Sequence, residues 1–348
     1  MSPDIRRGDW LRCYRARPHA RRRLVCFPPA GGAASFYRAW ADELPADVEL
    51  WAVQYPGRED RFTQPGVPDL AALADGVAAA LDARLDLPTA LFGHSMGASV
   101  AYEVTRRLEP RHGRTLLRLF VSARPAPEHQ RAVDSPVHRR DDDALVAELR
   151  VLGGGSAEAL CHPELRSALL PMIRNDFRII ETYRPASGPP LATGIVALTG
   201  DADPRLDVAQ AADWAAATSG PFRLAVFGGG HYYLVPQRAA VVAEVLRALT
   251  TQEDTMAAPD DTTAVHPDLT VDGLRASVAS VLGVEPDTIG PEDNLIAHGV
   301  DSIKVMLLAS RWQEHGVEIP FGDLAAEPTV SGWARLLSGR PAPDAAPR

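Results

Sequence analysis

The chain has 348 residues, of which 46% are hydrophobic and 23% are charged, and its formal net charge is −9. This composition is typical of a soluble globular protein with room for one large and one small domain. No apolar run approaches the roughly 18 residues of a membrane-spanning helix, and the arginine-rich N terminus has no apolar core of a secretion signal. Three cysteines, Cys13, Cys26 and Cys161, have no metal-site spacing, so we expect a reducing cytoplasmic location, no disulfide framework and no metal site.

Charge is distributed unevenly along the chain. Residues 265–348 contain 12 acidic and 6 basic residues, and residues 251–264 contain 4 acidic residues and no basic one. An acidic C-terminal region argues against nucleic-acid binding and favours protein partners with basic docking surfaces. The arginine-rich segment 6–23 is interpreted as a solvated face that leads into the first strand.

Strand and helix patterns alternate through the first third of the chain. Short apolar runs predict strands, and apolar residues spaced at i and i+4 predict helices. In chain order the predicted elements are a strand at 21–27, a helix at 33–44, a strand at 48–53, a helix at 69–85, a strand at 91–92, a helix at 97–108 and a strand at 116–121. This alternation predicts an α/β fold with a mainly parallel sheet and helices on both faces.

The alternation stops between about residues 125 and 185, where only helices are predicted, at 142–152 and 163–183. An all-helical insertion of this kind predicts a lid over a cleft. The alternative is a helical elaboration with no gating role. Strands at 194–198 and 222–227 and helices at 207–217 and 236–249 then complete a first domain that spans residues 1–250.

A polar, acidic stretch at 251–267 predicts a flexible linker between two domains. Residues 268–338 predict a small all-α bundle, and residues 339–348 a disordered tail. The bundle helices are predicted at 269–282, 302–315 and 330–337.

Residues 93–97 have the sequence Gly-His-Ser-Met-Gly and lie between a predicted strand and a predicted helix. A G-x-S-x-G pattern in this context forms a sharp turn that exposes the serine hydroxyl at the edge of a sheet. We therefore predict that Ser95 is a nucleophile. His94 is interpreted as a residue that packs or hydrogen-bonds at this turn.

A serine nucleophile needs a histidine that takes its proton and a carboxylate that orients the histidine. In α/β sheets of this type the chain order is serine, acid, histidine. His231 follows a predicted strand and three glycines, and Asp203 and Asp201 follow the strand before it. The pattern favours Asp203 as the acid and leaves Asp201 as the alternative.

An oxyanion hole needs two backbone N–H groups directed at the developing negative charge. One is expected from Met96, the residue after the nucleophile. The other is expected from the loop after the first long strand, around Ala30 and Gly31, where glycine leaves room for a close approach.

Five motifs, at residues 26–37, 54–60, 93–98, 200–204 and 230–234, strongly resemble type II thioesterases of nonribosomal peptide and polyketide synthesis. The resemblance covers about residues 8–249. It implies an α/β-hydrolase fold with a mobile helical lid, and hydrolysis of acyl groups from the phosphopantetheine arms of carrier proteins. Pro29 departs from the family, in which many members have histidine or another residue before Ala-Gly-Gly, so the wall of the entry channel is expected to differ.

Residues 299–302 have the sequence Gly-Val-Asp-Ser, which by itself equally suits a helix N-cap. Residues 268–338 as a whole resemble a carrier protein, and Ser302 matches the serine that accepts 4′-phosphopantetheine. The resemblance therefore implies this cofactor, covalently attached at Ser302. Residues 321–333, together with Trp312, are most similar to the aryl carrier domains of siderophore assembly lines.

The two resemblances together imply a thioesterase that edits acyl, aminoacyl or aryl groups on carriers, in cis or in trans. Terminal product release is not expected, because the hydrolase precedes its carrier. The implied partners are acyl or peptidyl carrier domains of synthetases, an adenylating enzyme and a phosphopantetheinyl transferase, with no nucleic acid and no membrane. Two alternatives remain open: mainly a carrier and docking protein with a weak hydrolase, or a general serine esterase with an appended carrier.

Overall fold

The computed structural model describes residues 5–6, 10–130, 135–153, 160–256, 270–282, 284–298, 300, 305, 308, 324 and 327–338. The chain divides into two compact units, Met1–Ala258 and Pro259–Arg348. The predicted tail, most of the predicted linker and most of the helix predicted at 302–315 lie outside the described residues. In the described part of the chain, no helix combines the length and the hydropathy needed to span a bilayer.

An eight-stranded sheet forms the centre of the N-terminal unit, with strand order β1-β2-β4-β3-β5-β6-β7-β8. The strands are β1 (Ile5–Arg6), β2 (Leu11–Cys13), β3 (Arg22–Phe27), β4 (Val48–Val53), β5 (Thr89–His94), β6 (Leu116–Ser122), β7 (Ile195–Gly200) and β8 (Phe222–Phe227). The pairs β1–β2 and β2–β4 are antiparallel and all other pairs are parallel. The mainly parallel α/β sheet is confirmed, and its antiparallel edge strands β1 and β2 are too short to produce a recognisable sequence pattern.

Helices cover both faces of this sheet, as predicted. The helices of the N-terminal unit are α1 (Trp40–Glu43), α2 (Leu70–Asp82), α3 (Met96–His112), α4 (Asp142–Leu152), α5 (Pro163–Thr182), α6 (Val208–Ala212) and α7 (Arg238–Met256). Helices α2 and α3 contribute to the apolar core on one face, and α1 and α7 to the core on the other. Helices α4 and α5, called the lid helices below, share a smaller apolar cluster of their own.

Three arginines near the N terminus are buried, so the interpretation of segment 6–23 as a solvated face is wrong for them. Arg12, Arg22 and Arg23 are each less than 10% exposed. The Arg12 guanidinium forms an ion pair with Asp60 at 2.8 Å, and that of Arg23 lies 3.5 Å from the centre of the Trp51 ring. Long aliphatic stems and planar guanidinium groups allow such burial when partners are present, and those partners are distant in sequence.

Two other segments differ from prediction, the first because of a long-range contact and the second because its local sequence allows a longer helix. The helix predicted at 33–44 is split into a 3-10 turn, Ala34–Tyr37, and the short helix α1. The Ala34 N–H at the start of this segment donates to Gln54 Oε1 at 2.7 Å, a long-range bond. Helix α7 continues to Met256, six residues beyond the predicted boundary at 250, since no proline or glycine interrupts the chain before Pro259.

The C-terminal unit has its own small apolar core. Its described elements include helix α8 (Val271–Leu282), a 3-10 turn at Pro286–Thr288 and helix α9 (Val330–Ser338). The core includes Trp333, which is fully buried and whose indole N–H donates to the Leu324 carbonyl at 2.9 Å. These residues form a helical bundle of the predicted kind.

The turn between β5 and α3 packs so closely against β3 that a side chain at Gly97 would not fit. A Cβ at this position would lie 2.1 Å from the Phe27 carbonyl oxygen and 2.7 Å from that of Pro28. We expect Gly97→Ala to lower the free energy of unfolding by about 1–3 kcal/mol, the usual cost of overpacking. Urea unfolding followed by circular dichroism measures the change.

Gly228→Ala is the matched control for this variant. Its added Cβ would meet only the end of the Gln237 side chain, at 3.4 Å. We expect the control to unfold near the wild-type urea concentration. Equal unfolding midpoints for Gly97→Ala and Gly228→Ala would contradict the close packing at the turn.

Candidate active site

Ser95 lies at the sharp turn between β5 and α3, in a backbone conformation that non-glycine residues rarely adopt. Its φ is +54° and its ψ is −118°, and such a conformation costs of the order of 1–3 kcal/mol. The Ser95 N–H donates to the Ser122 carbonyl at 2.8 Å, which fixes the turn against β6. A Cβ on Gly93 would lie 2.2 Å from the Gly97 carbonyl oxygen, so the strand and helix can approach only with glycine there. The turn therefore holds the serine hydroxyl at the carboxyl edge of the sheet.

The structure brings Ser95, His231 and Asp203 together in a hydrogen-bonded chain. His231 Nε2 lies 3.0 Å from Ser95 Oγ, and His231 Nδ1 lies 2.8 Å from Asp203 Oδ2. The side chain of His231 is 4% exposed and that of Asp203 is fully buried. Since an ionised carboxylate only accepts hydrogen bonds, the Nδ1 atom carries the proton and Nε2 accepts the proton of the serine hydroxyl. This geometry can activate a serine for nucleophilic attack.

Asp201, the alternative acid, binds a backbone group and not His231 in this structure. Its Oδ1 accepts the Gly229 N–H at 2.8 Å, and its side chain is exposed. The Ala202 N–H donates to the Gly229 carbonyl at 3.0 Å. Asp201 therefore stabilises the glycine loop that precedes His231. Asp203 is the acid that lies beside the His231 imidazole.

The predicted oxyanion-hole donors have different surroundings. Met96 is the first residue of α3, so its N–H has no acceptor one turn earlier in the helix. The Gly31 N–H, in contrast, donates to Asp176 Oδ2 at 2.8 Å. Contrary to the prediction, the Gly31 N–H is therefore already hydrogen-bonded in this structure and does not point to an oxyanion. Ala30 is the remaining predicted donor in that loop.

Asp176 is a residue of this region that the sequence analysis does not identify. It lies in lid helix α5 and is 1% exposed. Together with Ile173, Phe177 and Ile180 it forms the buried face of that helix. An acidic residue on an otherwise apolar helical stripe is the sequence signal that could have identified it, because a buried carboxylate requires a partner.

His94 packs beside His231 and is fully buried. Its Nδ1 lies 2.8 Å from Ser122 Oγ, which in turn lies 2.7 Å from the Tyr233 hydroxyl oxygen. Burial, together with the nearby His231, lowers the pKa of His94 well below its ordinary value. The two imidazole centres are 5.2 Å apart. A neutral His94 therefore packs at the turn, as predicted, and adds no second positive charge beside His231.

Ser302, the predicted attachment residue for 4′-phosphopantetheine, lies outside the described residues. The flanking Val300 and Val305 are buried in the core of the C-terminal unit. One described group of side chains has ligand atoms close enough to hold a metal ion: Glu128, His129 and Asp213. Its His129 Nε2 lies 2.6 Å from Asp213 Oδ2, and this hydrogen bond accounts for the cluster.

Comparison with known families gives a match for each unit. A family model described as "Thioesterase domain" matches residues 22–251, and one described as "Phosphopantetheine attachment site" matches residues 272–337. Among curated proteins, Thioesterase PikA5 of Streptomyces venezuelae is 42% identical over 239 residues, which cover 67% of this chain and 83% of PikA5.

Solved structures give the same result for the N-terminal unit. The type II thioesterase BorB from the borrelidin biosynthetic cluster is 47% identical with a TM-score of 0.64, and the match covers 69% of this chain and 97% of BorB. YbtT, a type II thioesterase from the Yersiniabactin NRPS/PKS pathway, is 33% identical with a TM-score of 0.63, and covers 70% of this chain and 98% of its own. These similarities confirm the predicted α/β-hydrolase fold.

The neutral state of His94 predicts a pH dependence of stability. In the unfolded chain a histidine has a pKa of about 6.5, so below that pH the unfolded state binds a proton that the folded state excludes. The free energy of unfolding therefore decreases as the pH falls from about 7 to about 5. We expect His94→Asn to reduce this slope by up to about 1.4 kcal/mol per pH unit. Urea unfolding at several pH values in this range measures it.

The asparagine retains a polar atom where His94 Nδ1 contacts Ser122, so the variant removes the titrating group with little change in shape. His19→Asn is the matched control, because His19 is exposed. We expect the control to keep the wild-type slope. A slope equal to that of wild type in His94→Asn would contradict the assignment to this residue.

Proposed function

Since this chain belongs to the thioesterase family and its C-terminal unit is a phosphopantetheine attachment domain, we propose that it is a carrier-editing type II thioesterase whose nucleophile is Ser95. The observation that carries the proposal is the continuous chain of hydrogen bonds, 3.0 Å and 2.8 Å long, from the Ser95 hydroxyl through His231 to Asp203. The substrate class follows from the carrier domain on the same chain and from the biosynthetic thioesterases among its relatives.

The reaction has two halves. Ser95 Oγ attacks the thioester carbonyl carbon while its proton moves to His231 Nε2, and ionised Asp203 stabilises the imidazolium. The negative charge on the carbonyl oxygen is met by the N–H groups of Met96 and Ala30. When the carbon–sulfur bond breaks, His231 returns the proton to the departing sulfur and an acyl-Ser95 ester remains. Water then attacks the ester while His231 takes its proton, and His231 returns that proton to Ser95 Oγ as the carbon–oxygen bond breaks and the carboxylic acid leaves.

A covalent 4′-phosphopantetheine supplies the thiol that holds the acyl group on the carrier domain, and we assign its attachment to Ser302. The Gly-Val-Asp-Ser sequence at 299–302 lies within the matched region 272–337. A phosphodiester on a serine at a helix N terminus would be stabilised by free backbone N–H groups. A phosphopantetheinyl transferase would attach the arm, and an adenylating enzyme would load it. The aryl subtype of this carrier stays a prediction.

Domain order supports editing over product release. The thioesterase region, 22–251, precedes the carrier region, 272–337. A carrier tethered to its own hydrolase has an effective concentration of about millimolar when the linker spans the two sites. The protein would thus act on its own carrier and on carriers of partner synthetases. Cys13, Cys26 and Cys161 form no disulfide in this structure, which supports a location in a reducing cytoplasm.

The proposed nucleophile is tested on the carrier of the same chain. A promiscuous transferase moves the acyl-phosphopantetheine group of an acyl-coenzyme A onto the carrier serine in one step, with adenosine 3′,5′-bisphosphate as the leaving group. We expect wild type to lose the acyl thioester at least about 100-fold faster than Ser95→Ala, because loss of the nucleophile removes the acyl-enzyme route. Intact-protein mass spectrometry over time measures the loss.

One further variant and two further outcomes separate the alternatives. Ser302→Ala should gain no mass from the transferase, and a gain would contradict the attachment assignment. Equal thioester loss in wild type and Ser95→Ala would contradict the hydrolase and leave a carrier or docking protein. Fast hydrolysis of small oxygen esters without hydrolysis of carrier thioesters would identify a general esterase.

The two candidate acids give distinct expectations. Asp203→Asn should lower kcat about 10²- to 10⁴-fold, since an amide at that position no longer favours the required imidazole tautomer and cation. Asp201→Asn is the matched control: its amide oxygen can still accept the Gly229 N–H, and we expect it to retain most of the activity. Steady-state hydrolysis of a soluble acyl-N-acetylcysteamine thioester compares them. Greater loss in Asp201→Asn than in Asp203→Asn would reverse the assignment.

A further inference from the structure

Asp176 connects lid helix α5 to the loop that follows β3. Its Oδ2 accepts the Gly31 N–H at 2.8 Å and the Arg58 Nη1–H at 2.9 Å, and its Oδ1 accepts the Arg58 Nη2–H at 2.8 Å. Arg58 is 5% exposed and Asp176 is 1% exposed. Among the described residues, one arginine and one backbone amide thus donate hydrogen bonds to both oxygens of this buried carboxylate.

Arg58 also binds the loop that follows β3. Its Nη1 also donates to the Gly32 carbonyl at 2.8 Å. The Gly31 N–H and the Gly32 C=O are therefore both bound by one ion pair, Arg58–Asp176. Gly31 has a φ of +73°, a conformation that leaves its amide facing the lid helix. A Cβ at this position would also lie 3.3 Å from a side-chain atom of Ile173 in that helix.

These bonds determine the direction of the Ala30 N–H. Peptide groups are planar, so fixing one polar atom of a peptide fixes the other. The Pro29 carbonyl accepts the Gly32 N–H at 3.0 Å, which orients the peptide that contains the Ala30 N–H. Asp176 fixes the next peptide through Gly31.

We propose that Asp176 is a positioning residue for hydrolysis: through Gly31 and Arg58 it holds the Ala30 N–H in the oxyanion hole, so that this donor is aligned when lid helix α5 is seated. The inference rests on the proposed function. It gives the buried ion pair a role in the chemical step, although neither side chain touches the reacting atoms. Substrate entry that displaces the lid helix would release the loop, and reseating the helix would restore the donor.

The other lid helix contacts the other half of the site. Glu148 of α4 forms an ion pair with Arg205, and the Arg205 N–H donates to Asp203 Oδ1 at 2.9 Å. The Arg205 side chain is 51% exposed and that of Glu148 is 9% exposed, so solvent partly screens this pair. Both side chains of the Arg58–Asp176 pair are buried, so solvent screens that connection less.

Asp176→Asn tests the proposal. The amide loses the negative charge and directs a donor group at Arg58, so the loop is held less firmly. We expect kcat for a soluble probe, butyryl-N-acetylcysteamine, to fall about 10- to 100-fold in the full-length protein, because one oxyanion donor is misaligned. KM should stay within about twofold, since the ground-state carbonyl gains little from that donor. Circular dichroism and thermal unfolding check the fold.

Glu181→Gln is the matched control from the same helix. Glu181 is also largely buried, but its carboxylate accepts the N–H groups of Val137 and His138 at 2.7 and 3.0 Å, away from the loop. We expect this variant to lose thermal stability while its kcat stays within about twofold of wild type. A similar kcat loss in both variants would mean that any weakening of the lid lowers activity, which overturns a specific role for Asp176.

Two other results would also overturn the inference: wild-type kcat in folded Asp176→Asn, or a raised KM with unchanged kcat. If Asp176→Asn does not fold, Arg58→Lys replaces it, because lysine keeps the charge but cannot bind both carboxylate oxygens and the Gly32 carbonyl. We expect the same kcat loss, and unchanged kcat overturns the proposal. An inactive wild-type protein would instead contradict the proposed function itself.

Discussion

The strained turn at Ser95 is the constraint on which the rest of the site depends. A serine with φ of +54° is stable only when its surroundings hold it there. Three contacts do so: the Ser95 N–H bond to β6, and the close approaches that require glycine at positions 93 and 97. Because β5, which ends at this turn, pairs with β3 on one side and β6 on the other, the loops after those two strands pass beside Ser95. The loop that contains Ala30 is one of them.

Parallel pairing explains how residues far apart in the chain reach this turn. Strands β5, β7 and β8 all end at the same edge of the sheet, so Ser95, Asp203 and His231 meet there although 136 residues separate the serine from the histidine. Burial excludes water from the His231–Asp203 bond, which strengthens the electrostatic support for the imidazolium. Neutral His94 packs beside His231 and adds no positive charge that would oppose the imidazolium.

Local sequence patterns predict those parts of the site that depend on local geometry. The serine turn, the strand ends with Asp203 and His231, and the alternating α/β order all have short-range signals, and the structure places them accordingly. The bond from Gly31 to Asp176 joins residues 145 apart in the chain, and no local pattern marks the acceptor of that N–H. The burial of Arg12 and Arg23 and the break in the helix predicted at 33–44 depend equally on distant partners.

A buried ion pair such as Arg58–Asp176 need not increase the free energy of unfolding. The free-energy cost of removing two charges from water offsets much of their mutual attraction. Replacing such pairs by apolar residues is therefore often neutral or stabilising. An apolar pair at these positions would fill the space but would offer no acceptor to the Gly31 N–H and no donor to the Gly32 carbonyl. The loop beside Ser95 would then have two unpaired polar groups next to the proposed oxyanion hole. The charges are therefore best explained by the geometry that they impose on the loop.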